Sequence, residues 1–186
     1  MSHPDPPPPL TAADGRALLA VARGAILEAL GQAAAAAPDP SAGREIHPVF
    51  VTVRVGGRLR GCIGRLDPET PLSRSVATCA RAAAFEDPRF EPIGAGDLPG
   101  LTIEMSVLGP RRPLADLHGL RLGEEGLLVT SGGRSGLLLP QVAIEQGWDA
   151  LEFLEQTCRK AGLARSAWRE GARVEAFPAQ VFREEP

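Results

Sequence analysis

The feature that most limits how this chain can fold is a pair of glycines, Gly56 and Gly57, between two runs of strand-forming residues. The valine-rich run 49–55 precedes the pair, and the run 58–63 follows it. Glycine readily adopts the positive φ angles that a two-residue turn between antiparallel strands requires. The sequence therefore predicts a β-hairpin at this point in the chain.

The register of this hairpin decides what surrounds Cys62. A regular two-residue turn pairs three residues of each strand: Val55 with Arg58, Val53 with Arg60, and Val51 with Cys62. Arg60 and Cys62 then point to one face of the strand, roughly 7 Å apart at the backbone, where the guanidinium can stabilise a thiolate. Neither face of the hairpin is cleanly apolar, so either a bulge shifts the register or both faces contact protein.

Gly61 and Gly64 stand on either side of Cys62. Glycines allow a ligand or another backbone to approach closely, and their N–H groups can form an anion-binding concavity. One hypothesis is therefore a pocket centred on Cys62. The alternative is that Cys62 is a small core residue and that the glycines serve backbone geometry alone.

The rest of the chain mixes helical and strand patterns. Apolar residues at helical spacing predict helices over 11–37, 72–86, 140–146 and 150–161. The second has Thr70 as its expected N-cap, the third ends in a left-handed cap at Gly147, and the fourth has Asp149 as its N-cap. Strand patterns occupy 101–108 and 174–177, and a second two-glycine turn joins 127–131 to 134–139. Because hairpins outnumber strand-helix-strand units, the order favours an α+β fold with a mainly antiparallel sheet.

No polar linker divides the chain into halves. We therefore expect residues 11–186 to form a single domain whose lobes share one core, preceded by a disordered, proline-rich tail at 1–10. The first residues lack the basic and apolar regions of a secretory signal. No stretch is long and apolar enough to span a membrane.

Charge and cysteine usage exclude several classes of protein. A net charge of −3 gives no global field that would attract a polyanion. Three cysteines without a Cys-x-x-Cys pair argue against a disulfide scaffold and favour a reducing compartment, so we expect a cytoplasmic protein. Cys79 and Cys158 fall in the apolar stripes of predicted helices, where we expect buried core residues.

The sequence contains no motif for a metal or a cofactor. His3, His47 and His118 are far apart and belong to no His-Glu-x-x-His pattern. The glycine-rich segment 131–136 lacks the lysine of a phosphate-binding loop and precedes a strand, which is typical of a hairpin turn. We therefore expect no cofactor and no bound metal.

Four arginines lie within twelve residues that contain no acid: Arg54, Arg58, Arg60 and Arg65. Such a cluster can contact phosphates, but no phenylalanine or tryptophan lies in the segment to stack on bases. Nucleic-acid binding is therefore a minor alternative. Asp87 and Arg89, in an Asp-Pro-Arg-Phe string, are expected to form a structural pair at a helix end.

Several segments together resemble the AMMECR1 domain family, which includes protein A of the AmmeMemoRadiSam set. The matching segments are Leu-Arg-Gly-Cys-Ile-Gly at 59–64, Asp-Pro-Arg-Phe at 87–90, Ile-Glu-Met-Ser-Val-Leu at 103–108, Leu-Leu-Pro-Gln-Val-Ala at 138–143, Trp148-Asp149, Phe153-Leu154, Cys158, Lys-Ala-Gly-Leu at 160–163, and Trp168. The resemblance spans about residues 12–183.

This resemblance implies a single α+β domain of two unequal lobes around an antiparallel sheet, with the Cys62 hairpin near the cleft. It also implies a Memo-like protein and a radical SAM protein as partners, but it supplies no reaction. One departure is Glu125, where relatives often have histidine. If that histidine is a ligand or a base in relatives, this chain has lost it.

The leading functional hypothesis is a pocket at the 59–64 hairpin that takes a small anionic or carbonyl-containing ligand. In this hypothesis the Cys62 thiolate either attacks the ligand or contacts it, and Arg60 stabilises the negative charge of the thiolate. The N–H groups of Gly61 and Gly64 donate hydrogen bonds to the negative charge that develops on the ligand. Glu104 and Gln141 are the expected polar walls.

Two other classes of function remain open from the sequence. The first is a non-catalytic interaction module that docks on the Memo-like or radical SAM partner. The second is a regulatory protein that binds nucleic acid. The sequence does not decide whether the protein is an enzyme.

Overall fold

The computed structural model of the protein describes residues 9–34, 43, 45–66 and 69–185. Its α-helices in these residues are α1 Ala12–Ala29, α2 Leu72–Phe85, α3 Pro140–Gln146 and α4 Ala150–Lys160. Its strands are β1 Val49–Val55, β2 Arg58–Arg65, β3 Leu101–Leu108, β4 Arg112–Pro113, β5 Glu125–Ser131, β6 Arg134–Leu138 and β7 Arg173–Arg183. Every pairing between neighbouring strands in the ladders β1–β2, β1–β3, β4–β7, β5–β6 and β5–β7 is antiparallel.

The chain forms two compact units. The first comprises Met1–Val107 with Gln180–Pro186, and the second comprises Leu108–Ala179. Each unit has a cluster of buried apolar residues of its own, whereas the sequence analysis expected one shared core. The α+β class, the antiparallel sheet and the two unequal units agree with the predicted fold class.

The first unit packs α1 and α2 against one face of β1, β2 and β3. The alternate valines of β1, Val49, Val51 and Val53, are completely buried in this cluster. Since successive side chains of a strand point to opposite faces, Phe50, Thr52 and Arg54 belong to the other face of the sheet. That second face carries the candidate site.

The second unit is built on β5, which pairs with β6 on one side and with β7 on the other. Helices α3 and α4 supply apolar residues to its cluster, which includes Leu127, Phe153, Leu154 and Cys158. Gly147 ends α3 in the left-handed conformation, and the Asp149 carboxylate accepts a hydrogen bond from the N–H of Glu152 at the start of α4. Both caps agree with the sequence prediction.

Two predicted helix limits are wrong. The first helix ends at Ala29 instead of continuing to residue 37, because Gly31 adopts a positive φ of 68° and the N–H of Gln32 turns back to the Leu27 carbonyl. The N-cap of α2 is Pro71, not Thr70, whose hydroxyl instead hydrogen-bonds to Ser75 at 2.9 Å.

The predicted tail lies mostly outside the described residues, which begin at Pro9. Leu10 is buried, and its N–H donates to the side chain of Gln180 at 2.8 Å. Within the described part of the chain, no helix has the length and apolar character needed to cross a membrane.

Candidate functional site

A β-bulge in the β1–β2 hairpin sets the position of Cys62. Val55 pairs with Arg58 as predicted, but the register shifts after Arg54, which pairs with Leu59. Arg60 is the extra residue of the bulge. The predicted pairs of Val53 with Arg60 and of Val51 with Cys62 are therefore wrong, because the extra residue moves each later residue of β2 by one position.

With the shifted register, Cys62 lies opposite Thr52, and Thr52 lies opposite Glu104 on β3. Directly opposed residues of antiparallel strands share a face, so these three side chains form a row across the sheet. The Thr52 hydroxyl donates a hydrogen bond to the Cys62 sulfur at 3.3 Å. Cys62 is only partly buried, unlike Cys79 and Cys158.

The backbone of Cys62 is held by the residues that follow α2. Strand β2 is the outer strand of its sheet, so its outward N–H and C=O groups need partners other than a strand. The N–H of Cys62 donates to Asp87 Oδ2 at 2.9 Å, and its carbonyl accepts from Arg89 Nη2 at 3.2 Å. Asp87 and Arg89 thus take the place of a neighbouring strand at Cys62.

Asp87 and Arg89 form a two-point ion pair. Arg89 Nη2 lies 2.6 Å from Asp87 Oδ2, and Arg89 Nε lies 2.9 Å from Oδ1. The Arg89 hydrogen bonds, aided by the N–H of Cys62 and opposed by burial, hold the pKa of the Asp87 carboxyl far below its usual range. The Asp87 carboxyl is almost completely buried, so the pair is a fixed part of the structure.

Arg89 keeps one donor group unused. Its Nε and Nη2 bind Asp87 and the Cys62 carbonyl, while Nη1 has no acceptor among the described residues. Half of the side chain is exposed, and the guanidinium carbon lies 5.3 Å from the centre of the Phe90 ring. Asp87 raises the pKa of Arg89, and negative charge at Cys62 adds to this effect, so the guanidinium is within electrostatic range of the thiol.

Arg60, the predicted partner of Cys62, is bound elsewhere. Its guanidinium lies 3.4 Å from Asp97 Oδ1 and 3.2 Å from the Glu91 carbonyl. Asp97 in turn accepts the N–H of Gly94 through its other oxygen. The structure therefore places Arg89, rather than Arg60, in contact with the Cys62 residue.

The glycines beside Cys62 have packing partners. A Cβ atom at Gly61 would lie 1.8 Å from the Ala83 carbonyl oxygen, so any side chain would collide with the backbone of α2. A Cβ atom at Gly64 would lie 2.3 Å from the Phe50 ring. Close approach of protein accounts for both glycines. The N–H of Gly64 turns outward like that of Cys62, because backbone groups alternate along a strand.

The remaining predicted site residues differ in setting. Glu104 shares the row with Cys62 and forms an ion pair with Arg183. Gln141 lies on α3 in the second unit. Cys79 is buried on α2, and burial raises the pKa of its thiol to about 11.

Glu125, the departure from the resembled family, is a buried ion-pair centre in the second unit. Its carboxylate accepts two hydrogen bonds from Arg112, at 2.8 and 3.1 Å, and others from the N–H and side chain of Arg121. Burial alone would raise the pKa of Glu125, but these donors lower it to about 2. This setting indicates a structural role, with no sign of a base.

The described residues contain no group of three histidine, cysteine or carboxylate side chains that could hold a metal ion. His47 lies 2.9 Å from Glu45, and His118 is on a short 3₁₀ turn at Leu117–Gly119. His3 lies outside the described residues.

Sequence reasoning missed Thr52 and Arg89 as neighbours of Cys62. Thr52 could not be found because the bulge changed its partner. The Asp-Pro-Arg-Phe string was the available signal for Arg89, because a charged pair that follows a helix can bind backbone groups of another segment. The sequence did not show that these groups belong to Cys62 on β2.

Three comparisons relate the chain to known proteins. The family model AMMECR1 matches residues 19–182. A protein of Methanothermobacter thermautotrophicus is 45% identical over 95% of this chain and 97% of its own length, and one of Methanosarcina acetivorans is 39% identical over 94% of each. The crystal structure of an uncharacterized protein from Pyrococcus horikoshii matches with a TM-score of 0.87 and 37% identity, covering 95% of this chain and 94% of that one.

Proposed function

The chain belongs to the AMMECR1 family, and we propose that its Cys62 site binds a small ligand that carries both an anionic group and a carbonyl group. In this proposal the Cys62 sulfur contacts or attacks the carbonyl carbon. The unused Nη1 group of Arg89 binds the anion. The observation that carries the proposal is a half-exposed guanidinium with a free donor, fixed to the backbone of a partly exposed cysteine.

The fixed geometry at Cys62 supports a role beyond core packing. A cysteine that only fills space needs neither a hydroxyl donor at its sulfur nor a buried ion pair on its backbone. Here Thr52 donates to the sulfur, and Asp87 with Arg89 binds the N–H and C=O. Hydrogen bonds that fix a reactive group before the ligand arrives reduce the entropy lost on binding.

The ionic environment favours an anionic ligand. An N–H of a guanidinium donates a charge-assisted hydrogen bond to a carboxylate or phosphate, and partial burial strengthens such a pair relative to water. Because Asp87 neutralises only one edge of Arg89, Nη1 offers a second contact next to Cys62. The outward N–H of Gly64 is a neutral donor for the same ligand.

The chemical step of the proposal is a reversible addition. The thiolate electron pair forms a C–S bond to the carbonyl carbon, and the π pair of the carbonyl moves onto its oxygen, which then takes a proton from water. Glu104 is proposed as a polar wall of the site, and Arg60 as a contributor to the positive field. No oxidant, reductant or metal enters this balance.

The test compares two alkylating reagents that differ in charge. Iodoacetate carries a carboxylate and iodoacetamide is its neutral counterpart, so their rate ratio at Cys62, divided by the ratio for a free cysteine derivative, measures recruitment of the anion. We expect this normalised ratio to be about five at low salt. A factor of this size corresponds to a partly exposed ion pair of about 1 kcal/mol. It falls towards one as salt rises.

Arg89→Gln and Arg60→Gln form a matched pair of variants for this test. The proposal predicts that Arg89→Gln abolishes the preference for iodoacetate and that Arg60→Gln keeps most of it. Arg89→Lys retains the positive charge but not the two-point geometry with Asp87. If this variant keeps part of the preference for iodoacetate, the loss in Arg89→Gln comes from the missing charge and not from unfolding. A normalised ratio of one in the unaltered protein contradicts the proposal and favours a docking module without chemistry.

A further inference from the structure

The C-terminal end of β7 has a strand on one side only. β7 lies between β3 and β5 in the sheet, but β5 pairs with it only over residues 173–178. Further along β7, the N–H of Glu184 donates to the Ile103 carbonyl on β3 at 3.0 Å. Because backbone groups alternate along a strand, those of Val181 and Arg183 point away from β3. Among the strands of the described residues, none pairs with this outer edge of β7 beyond residue 178.

An open groove with a volume of about 790 Å³ runs along this edge, within the first unit. One wall is the segment 181–185. The Phe182 ring lies where a Cβ atom of Gly15 would be, with a ring carbon only 2.0 Å from that position, so α1 lies close beside this end of β7. The other wall is one stripe of α1, formed by Ala12, Arg16, Leu19, Ala20 and Arg23.

The charged residues of the groove leave one cation uncompensated. The Glu184 carboxylate accepts two hydrogen bonds from Arg23, at 2.6 and 2.7 Å, and Arg183 forms an ion pair with Glu104. Arg16 is exposed, and none of the residues that the structure describes forms an ion pair with it. An acidic group that enters the groove beside α1 therefore meets an unneutralised guanidinium.

The outer end of the groove carries the opposite charge. Glu185 is exposed and has no ion-pair partner within the described part of the chain. Phe182 and Glu184 point towards α1, so Val181, Arg183 and Glu185 belong to the other face of the strand. The groove therefore favours an acidic side chain on its helix face and a basic side chain on its opposite face.

We infer that the groove binds an extended peptide segment of another protein, which adds a strand to the edge of β7 and places an acidic side chain at Arg16. Hydrogen bonds to the outward backbone groups of β7 supply affinity, and side-chain contacts supply specificity. Leu19 and Ala20 contact an apolar side chain two positions from the acidic one. Proline, which protects many native edges from such pairing, is absent from residues 179–185. This site is independent of the function proposed for Cys62.

Two other occupants fit the groove less well. The N-terminal residues of this chain include five prolines among residues 4–9, and proline has no N–H to donate to a sheet edge. A second copy that pairs antiparallel through the same edge places its own α1 beside the first. Strands pair about 4.8 Å apart, whereas helices pack about 8–10 Å apart, so two helices that each lie against β7 come too close. A peptide brings no helix.

The experiment measures binding of a fluorescein-labelled peptide, Thr-Lys-Val-Thr-Glu-Val-Thr with an amidated C-terminus, by fluorescence anisotropy. In an antiparallel strand its valine at the third position and its glutamate share the face that meets α1, and its lysine shares the face of Glu185. We expect saturable binding at or below millimolar concentration. N-methyl groups on the peptide nitrogens of the fourth and sixth residues, which face β7, abolish the binding without changing a side chain.

A charge swap tests the contact with Arg16. The peptide with glutamate should bind about fivefold more tightly than the same peptide with lysine in place of glutamate, as expected for an exposed ion pair. Arg16→Glu should reverse this preference. Arg81→Glu is the matched control, because Arg81 is an exposed arginine of α2 outside the groove, and it should keep the preference.

Val181→Pro tests the backbone edge. Proline removes an N–H that points away from β3, so the hydrogen bonds between β3 and β7 stay intact, and circular dichroism checks the fold. Peptide binding should weaken about fivefold or more. The inference is overturned by an absence of saturable binding, by equal binding of the N-methylated peptide, or by an unchanged preference in Arg16→Glu. A dimer in sedimentation velocity that Val181→Pro dissociates also overturns it, because the edge then belongs to a second copy.

Discussion

The backbone N–H of Cys62 donates a hydrogen bond of 2.9 Å to the carboxylate of Asp87, 25 residues further along the chain. This bond joins the outer strand of a sheet to the segment that ends the neighbouring helix. Arg89 completes the arrangement from the same segment by binding the Cys62 carbonyl. The Asp-Pro-Arg-Phe string is therefore part of the Cys62 site, although the two are separate in the sequence.

Asp87→Asn should lower the free energy of unfolding by about 2 kcal/mol, because it removes the charge from a buried, hydrogen-bonded ion pair. Urea denaturation followed by circular dichroism measures this loss. Asp149→Asn is the matched control: Asp149 is an exposed N-cap, a position where asparagine works as well as aspartate, so its unfolding curve should stay within about 0.5 kcal/mol of the original. Equal effects of the two substitutions would contradict the role given to Asp87.

Acid should destabilise the protein through Glu125. Its pKa is about 2 in the folded state, below the unfolded value of about 4.3. A lowered folded pKa means that the stabilisation is complete above the unfolded value and is lost as pH falls from about 4.3 towards 2. The full contribution is roughly 2–3 kcal/mol. Asp87, whose pKa is also lowered, contributes with the same sign.

Glu125→Gln isolates this effect in urea titrations at a series of pH values. The variant should be less stable than the original near pH 7, and the difference should shrink between pH 4.5 and 2.5. A difference that stays constant over this range would show that the Glu125 charge does not contribute.

Gly61→Ala should be strongly destabilising, by about 3 kcal/mol or more, because the new methyl group meets the rigid backbone of α2 at Ala83. Gly96→Ala serves as the control, since a Cβ atom there has no heavy atom within 4 Å and needs no positive φ. Thermal melts of both variants measure the loss of stability that each substitution causes. If Gly61→Ala melts as the original does, the close contact between β2 and α2 is wrong.

Thr52→Val should slow alkylation of Cys62 by iodoacetamide severalfold while changing stability little. Valine keeps the β-branched shape that suits a strand, but it cannot donate a hydrogen bond to the sulfur. Thr102→Val is the control, because Thr102 lies opposite Arg54 and outside the row of Cys62. An unchanged rate in Thr52→Val would mean that the hydroxyl has no part in the reactivity of the thiol.

Much of the fold follows from local sequence patterns. The two-glycine turns, the valine alternation of β1 and the caps of α3 and α4 are local features, and the elements they predict are present. The first helix was predicted too long because its alanines continue the helical pattern beyond Gly31, and only the backbone conformation at Gly31 ends it. The local pattern is compatible both with a helix that ends before Gly31 and with one that continues through the following alanines, and it does not show which of the two the chain adopts.

The site was less predictable because it depends on contacts between distant segments. The sequence predicted a site at Cys62 and its flanking glycines, but a single bulged residue, Arg60, changed the partner of every later residue in β2. The cation beside Cys62 then comes from residue 89 after α2, which hairpin geometry alone could not indicate.

The most direct test of the central claim is the rate of alkylation at each cysteine in the native protein, measured peptide by peptide by mass spectrometry over a range of pH. The account predicts that Cys62 is labelled in the folded state. Cys79, whose pKa burial raises to about 11, and Cys158, which is also buried, should react only after unfolding. Protection of all three cysteines until the protein unfolds would contradict the account and make Cys62 a structural residue.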